Sequence, residues 1–356
     1  MDTFSPSSDR GSRVRLTPGR RLLFVALIAS LALPIGVVAE VSYRVRRGIP
    51  LFPEGPRARG GAASDGAAAM DFDDAHYYEI FERVPDPELL YTPKPGVTRG
   101  AVSINSHGFR DREYPVEKPA NTFRIVVLGD SIVWGHRLAI DDVFAKQLER
   151  MLNAEASGER AYEVLNFGVS GYSARQEVGI YRARAAVFQP DLVILGLCVN
   201  DEYYSSVEGD FLDDGSGALF RKSFLLEHAQ MSFIELLRDR VPALAARFRH
   251  TVDVRAHLTE LARLRGGSRS LIVIFPVLES FEPYRDGASH ERLRAAAAGL
   301  PFAVHDLLPD FRGVPAQAYR VDPNDVIHPN RLGNEVAARA TLAALHAEKL
   351  LPGDPG

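Results

Sequence analysis

Two stretches far apart in this chain hold residues that suit nucleophilic chemistry. Gly129-Asp130-Ser131 ends the apolar run RIVVLG, and Asp325-Val-Ile-His328-Pro-Asn330 stands near the C-terminus. A serine hydroxyl becomes a useful nucleophile only when a base lies within hydrogen-bond reach and an acceptor fixes the tautomer of that base. His328 would take the proton of Ser131, and Asp325, three residues earlier, would accept from the other imidazole nitrogen. Acyl chemistry further requires donors aimed at the developing oxyanion. The backbone N–H groups of Ser131 and of Gly168 (in NFGVSG) and the side-chain amide of Asn200 (in GLCVND) would supply them. Asp130 is left with holding the turn. Each block also has an ordinary explanation, since Gly-Asp-Ser after a strand turns a chain and caps a helix. What favours the catalytic reading is that the blocks stand in order, each at the C-terminal end of a strand or in the loop beyond it.

The elements that must position these residues are legible as short apolar runs separated by amphipathic ones. Strands are expected over residues 124–128, 162–167, 192–197, 270–276 and 302–306. Helices are expected over 141–153, 174–187, 290–298 and 333–350, with a pair across 232–265. Such alternation implies right-handed crossovers and a parallel sheet covered on both faces, so the fold class is a three-layer α/β/α sandwich. Its chemistry belongs at the carboxyl ends of the strands. An acidic, Gly-rich stretch, 203–227, interrupts the rhythm and reads as an insertion near the mouth of the sheet. Ahead of the sheet, 71–122 is too apolar and aromatic for disorder and reads as an extension packed on the domain at 123–351. Within it, the segment 105–110 (NSHGFR) reads as a turn anchored by Phe109, with a lip of the substrate pocket as the sharper alternative.

The four blocks resemble the SGNH/GDSL hydrolase superfamily: GDS, a glycine after the second strand, an asparagine in a Gly-x-Asn-Asp-like block, and Asp-x-x-His. The third block departs from the compact form, with two more residues between Gly196 and Asn200. The resemblance implies a flavodoxin-like sheet, Ser131 as nucleophile, Gly168 and Asn200 as oxyanion donors with the N–H of Ser131, and Asp325 and His328 completing a triad. Gly-x-Ser-x-Gly is absent, which argues against an ordinary α/β-hydrolase elbow. No cofactor is implied: neither a dinucleotide nor a Walker loop occurs, and the ten histidines form no His-x-x-x-His pair beside a carboxylate. A serine triad requires no metal. The lone Cys198 excludes an intramolecular disulfide and a CxxC pair, and the net charge of -4 argues against a nucleic-acid partner.

The first residues set the expected location. Residues 1–21 are polar and arginine-rich and read as a cytoplasmic leader, and 22–43 as a transmembrane anchor or signal segment. The uncharged run 22–39 would extend roughly 27 Å as a helix, close to the hydrocarbon thickness of a bilayer. The greater basic excess before it favours a single pass with the N-terminus in the cytoplasm; secretion after cleavage at VVA is the alternative. Residues 44–70, rich in Pro, Gly and Ala, read as a flexible linker. Together these features suggest a membrane-anchored, extracytoplasmic serine esterase that acts on an acyl (acetyl) ester of a small molecule, a carbohydrate or a cell-envelope glycan. An O-acyltransferase with the same acyl-enzyme and a non-catalytic envelope-binding module are the alternatives. The sequence does not indicate an oligomeric state.

Overall fold

Five strands carry the molecule, each closely matching an apolar run of the sequence. In the computed structural model, residues 77–156, 160–203 and 252–353 are described, together with positions 38, 41 and 42. The leader, the linker, nearly all of 22–43 and of the insertion at 203–227, and the first part of the helix pair at 232–265 lie outside them. Among the described residues no helix is long and apolar enough to cross a membrane. Contacts gather 63–214 and 246–356 into one compact unit, which holds every element below; the other grouping, 1–62 with 215–245, lies almost wholly outside the described residues.

The extension begins with a helical turn and two short antiparallel pairs, β1 (Phe81–Arg83) with β2 (Tyr91–Pro93) and β3 (Thr98–Arg99) with β4 (Val102–Ser103). The sheet follows as β5 (Thr122–Gly129), β6 (Ala161–Gly168), β7 (Leu192–Leu197), β8 (Arg269–Ile274) and β9 (Ala303–Asp306). All four pairings are parallel, in the order β6-β5-β7-β8-β9. Numbered by appearance within the sheet this is 2-1-3-4-5, the flavodoxin-like order, whose switch point lies at the ends of its first and third strands. Here those strands are β5, which delivers Ser131, and β7, which leads to Asn200.

Between the strands run α1 (Ser131–Trp134), α2 (Phe144–Glu155), α3 (Ala174–Ile180), α4 (Val254–Leu264), α5 (Gly287–Ala297) and α6 (Arg331–Ala347). The helix expected to reach 187 does so by changing its winding: α3 passes into a π turn at Tyr181–Ala185 and a tight turn at Ala186–Phe188. Alternation along β5 sends Val126 and Leu128 into one apolar cluster with α3, α4, α5 and the extension. Ile125 and Val127 enter the other, with α2 and α6. The parallel sheet is therefore covered by helices on both faces. The extension is no separate layer: Phe81, Tyr91, Ile104 and Phe109 share their cluster with Trp134 and Phe167.

One apolar strand starts with a charge. Arg124 is fully buried at the bottom of β5, where it pairs with Glu163 at 2.8 Å and donates to the carbonyls of Pro115, Val116 and Phe188. A buried guanidinium needs such company, because an unpaired one would lose its hydration without replacement. The contacts join the extension to the N-terminal edge of the sheet, away from the chemistry.

Candidate active site

Glycines make the room for Ser131. Gly129, Gly168 and Gly196 lie opposite one another on the neighbouring strands β5, β6 and β7, leaving a bare patch on which α1 sits. A Cβ on Gly168 would stand 2.4 Å from the Trp134 nitrogen, and one on Gly129 or Gly196 would stand 2.3 or 2.8 Å from Val133 Cγ2. At Gly168 the backbone of α1 would have to move, and at Gly129 and Gly196 the Val133 side chain would. The patch lets the chain turn straight out of β5, with Ser131 as the first residue of α1. Asp130 caps that helix: its Oδ1 accepts from Ile132 N at 2.8 Å.

The other half of the site hangs from α6. Asn330 caps this helix through Gly333 N (3.1 Å), and the wholly buried Asn334 accepts from Phe144 N at 2.8 Å while donating to the carbonyls of Pro329 and Asn330. These bonds fix the DVIHPN loop against α2. Within the loop, Asp325 Oδ1 accepts from Ile327 N (3.0 Å) and His328 N (2.9 Å), leaving Oδ2 to meet His328 Nδ1 at 2.7 Å. His328 Nε2 then lies 2.8 Å from Ser131 Oγ. With the imidazole proton on Nδ1 and donated to the carboxylate, Nε2 accepts from the hydroxyl. Burial works against ionisation of Asp325, but the hydrogen bond and charge of His328 and the two backbone donors outweigh it and hold the carboxyl well below its usual range. The structure thus brings Ser131, His328 and Asp325 together in the order the sequence suggested, with Ser131 only 8% exposed.

The donors expected for an oxyanion separate on inspection. Ser131 N stands at the first position of α1, where a backbone N–H has no partner within its own helix. Asn200 donates one amide hydrogen to Asp130 Oδ2 at 2.8 Å, which orients the group beside the nucleophile and leaves its second hydrogen for another acceptor. Gly168 donates its N–H to Asn166 Oδ1 at 3.1 Å. Its place in the motif follows from the missing side chain. Three positions on, Gly171 shapes the loop that leaves this block. Tyr172 N donates to Val169 O at 3.2 Å, closing a turn in which Gly171 adopts φ 80°; a turn of that kind requires glycine at its third position. The signal for it was present in VSGY, read as part of the Gly168 block.

Behind the nucleophile lies a buried acidic group. Asp130, Glu177 and Asp201 are all 1% exposed or less, and the Cys198 thiol sits among them. Cys198 N donates to Asp201 Oδ2 at 2.5 Å, whereas neither Oε of Glu177 meets a donor from a neighbouring non-acidic group. Burial, followed by the charges of Asp201 and Asp130, raises the Glu177 carboxyl well above its usual range, and burial with Asp130 raises Asp201. A proton retained on Glu177 relieves the repulsion among carboxylates in one apolar enclosure. The thiol is also raised, by burial first and then by Asp130 and Asp201, so Cys198 is not a thiolate nucleophile.

Among the described residues, two groups of side chains have a spacing that a metal ion could bridge: His136 with Asp325 and His328, and Asp130 with Cys198 and Asp201, each set with donor atoms within 4.8 Å. In the first, both nitrogens of His328 are committed, to Asp325 and to Ser131. That arrangement suits proton transfer. In the second, Asp130 already caps α1 and orients Asn200, and Asp201 accepts from Cys198 N.

Comparison with known proteins identifies a family. The sequence model of the GDSL-like Lipase/Acylhydrolase family matches residues 127–336. No curated protein matches the chain. Among solved structures, TesA aligns with a TM-score of 0.42 at 20% identity, covering 64% of this chain and 99% of its own. A lipase/acylhydrolase from Enterococcus faecalis aligns with a TM-score of 0.42 at 18% identity over 65% and 100%. A catalytic mutant of Axe2, an acetylxylan esterase from Geobacillus stearothermophilus, aligns with a TM-score of 0.43 at 15% identity over 63% and 94%.

Proposed function

Because this chain belongs to the GDSL-like lipase/acylhydrolase family and is therefore an enzyme acting on ester bonds, we propose that it is a serine esterase whose nucleophile is Ser131. His328 takes the hydroxyl proton as Ser131 Oγ attacks the ester carbonyl, and Asp325 holds the imidazole in the required tautomer and stabilises the imidazolium that forms. The tetrahedral oxyanion is met by Ser131 N–H, the free amide hydrogen of Asn200 and the N–H of Gly171. Collapse expels the alcohol, which receives the proton from His328, and leaves an acyl-serine. His328 then activates water, and the acid departs with Ser131 regenerated.

The observation that carries this reading is the unbroken path from Asp325 through His328 to Ser131, at 2.7 and 2.8 Å. The small exposure of Ser131 favours a short acyl group such as acetyl. We propose a carbohydrate or cell-envelope ester as the substrate, on the extracytoplasmic side, in line with the uncharged run at 22–39. The full-length protein is expected to hydrolyse a nitrophenyl acetate and to be labelled once, on Ser131, by a fluorophosphonate. A Ser131→Ala protein with undiminished turnover overturns the assignment.

A further inference from the structure

The motif NSHGFR lies outside the residues matched by the family, and the chemistry above uses none of it. In the structure it is built to carry one guanidinium beneath the nucleophile. Asn105 Oδ1 accepts from His107 N and Phe109 N, both at 3.1 Å, while its amide donates to Arg112 O at 3.0 Å. Gly108 takes φ 79°, and Phe109 stacks on Phe167 with ring centres 4.2 Å apart. These contacts launch Arg110 into the core, where it is 2% exposed and 5.5 Å from the centre of the Trp134 ring.

Arg110 makes no ion pair among the described residues. It donates to three carbonyls of the loop that leaves α1: Trp134 O at 2.6 Å, Gly135 O at 2.8 Å and Leu138 O at 2.5 Å. The loop is held in an uncommon conformation, with left-handed backbone at Gly135 (φ 80°) and at Arg137 (φ 58°), the latter unfavourable for a side-chain-bearing residue. Between them stands His136, whose ring lies against that of His328 with centres 4.3 Å apart. His136 N also donates to Ser131 O at 3.1 Å.

We propose that Arg110 and His136 are positioning residues for the reaction: Arg110 clamps the 134–138 loop, and the loop presses the His136 ring on His328 so that Nε2 stays on Ser131 Oγ. This rests on the esterase reading, with His328 as the base. Charged and titratable groups facing His136 are His328, Asp325, Arg137 and Arg110. Burial, and then His328, pushes the His136 imidazole down to about 4, so it remains neutral beside the imidazolium formed on His328 during acyl transfer.

The test uses full-length protein with nitrophenyl acetate, comparing His136→Ala, His136→Phe, Arg110→Lys and the Arg110→Lys/His136→Ala double variant, with Ser131→Ala as control. Loss of alignment should lower kcat of His136→Ala roughly 10- to 100-fold with KM little changed, since misplacement by about 1 Å can cost on the order of 100-fold. The rate of fluorophosphonate labelling should fall in parallel. His136→Phe, which keeps a ring against His328, should recover most of the loss. Because Arg110 acts through His136, the double variant should be no slower than the slower single one. Wild-type kcat in His136→Ala, a His136→Phe protein as slow as His136→Ala, or losses that multiply in the double variant each overturn the proposal. Should Arg110→Lys fail to fold, the two His136 variants decide alone. Turnover surviving in Ser131→Ala would instead overturn the esterase mechanism, so the two failures are distinct.

Discussion

Replacing Asp325 with asparagine separates the two jobs its carboxylate performs. Asparagine keeps an oxygen for the N–H groups of Ile327 and His328, now capped by Oδ1. Opposite His328 Nδ1 it presents an NH2 group, which forces the imidazole proton onto Nε2, where it can no longer accept from Ser131. Asp325→Asn is therefore expected to lower kcat on the order of 10⁴-fold, with an unfolding midpoint close to wild type, as measured by pre-steady-state kinetics alongside thermal melts. Asp130, although nearer in sequence to the nucleophile, does not serve this role. Its Oδ1 accepts from Ile132 N and its Oδ2 from Asn200 Nδ2, at 2.8 Å each, with the Ser131 hydroxyl only at 3.4 Å from Oδ2, which makes it the brace of the helix start and of the Asn200 amide.

At the scale of elements, the patch of glycines under α1 gives a direct test of what Gly168 does. Alanine preserves the backbone N–H, so a residue acting only as a hydrogen-bond donor would tolerate the change. The structure places the new Cβ 2.4 Å from Trp134 N, so Gly168→Ala should displace α1, destabilise the fold by about 1–3 kcal/mol and depress kcat together. Denaturant melts and turnover on one preparation check both. The extension is bound to the same region by charge. Lys146, 6% exposed, pairs with Asp111 at 2.8 Å and Glu149 at 3.0 Å and donates to Tyr114 OH at 2.7 Å, while Asp111 accepts from Asn166 N on β6 at 3.0 Å. A strand end, a helix and the extension are thus held by one cluster, which is why the NSHGFR segment can reach the active site.

At the scale of the whole molecule, the buried carboxyls make stability depend on pH. Glu177 is held well above its ordinary value, so between the unfolded value, about 4.3, and the folded one the native state binds more protons than the unfolded state. Stability then falls as pH rises through that window and is fully present below it. Glu177→Gln removes the ionisation, and its melting temperature relative to wild type should rise between pH 5 and pH 8; a difference that stays flat contradicts a raised Glu177 carboxyl. Location is tested separately. If 22–39 anchors the chain with its N-terminus in the cytoplasm, the protein should remain with membranes after alkaline extraction, and its C-terminal domain should be open to protease from the extracytoplasmic side only. Release into the soluble fraction would favour a cleaved signal.

Much of this was written locally. Apolar runs of the right length specify five strands, and the residue types at their ends suggest a nucleophile, a base and an orienting acid, because periodicity and turn chemistry are properties of contiguous residues. Ser131, His328 and Asp325 were legible for that reason, and Asp130 as a turn residue with them. The tertiary structure alone decided which strands lie side by side. Only the order β6-β5-β7 sets Gly129, Gly168 and Gly196 under one helix and encloses Glu177 with Asp130 and Asp201. The same packing carries Arg110 from an apparently ordinary turn to the carbonyls behind Ser131. Such roles arise from strand order, register and burial summed over the fold, which no single stretch of sequence contains.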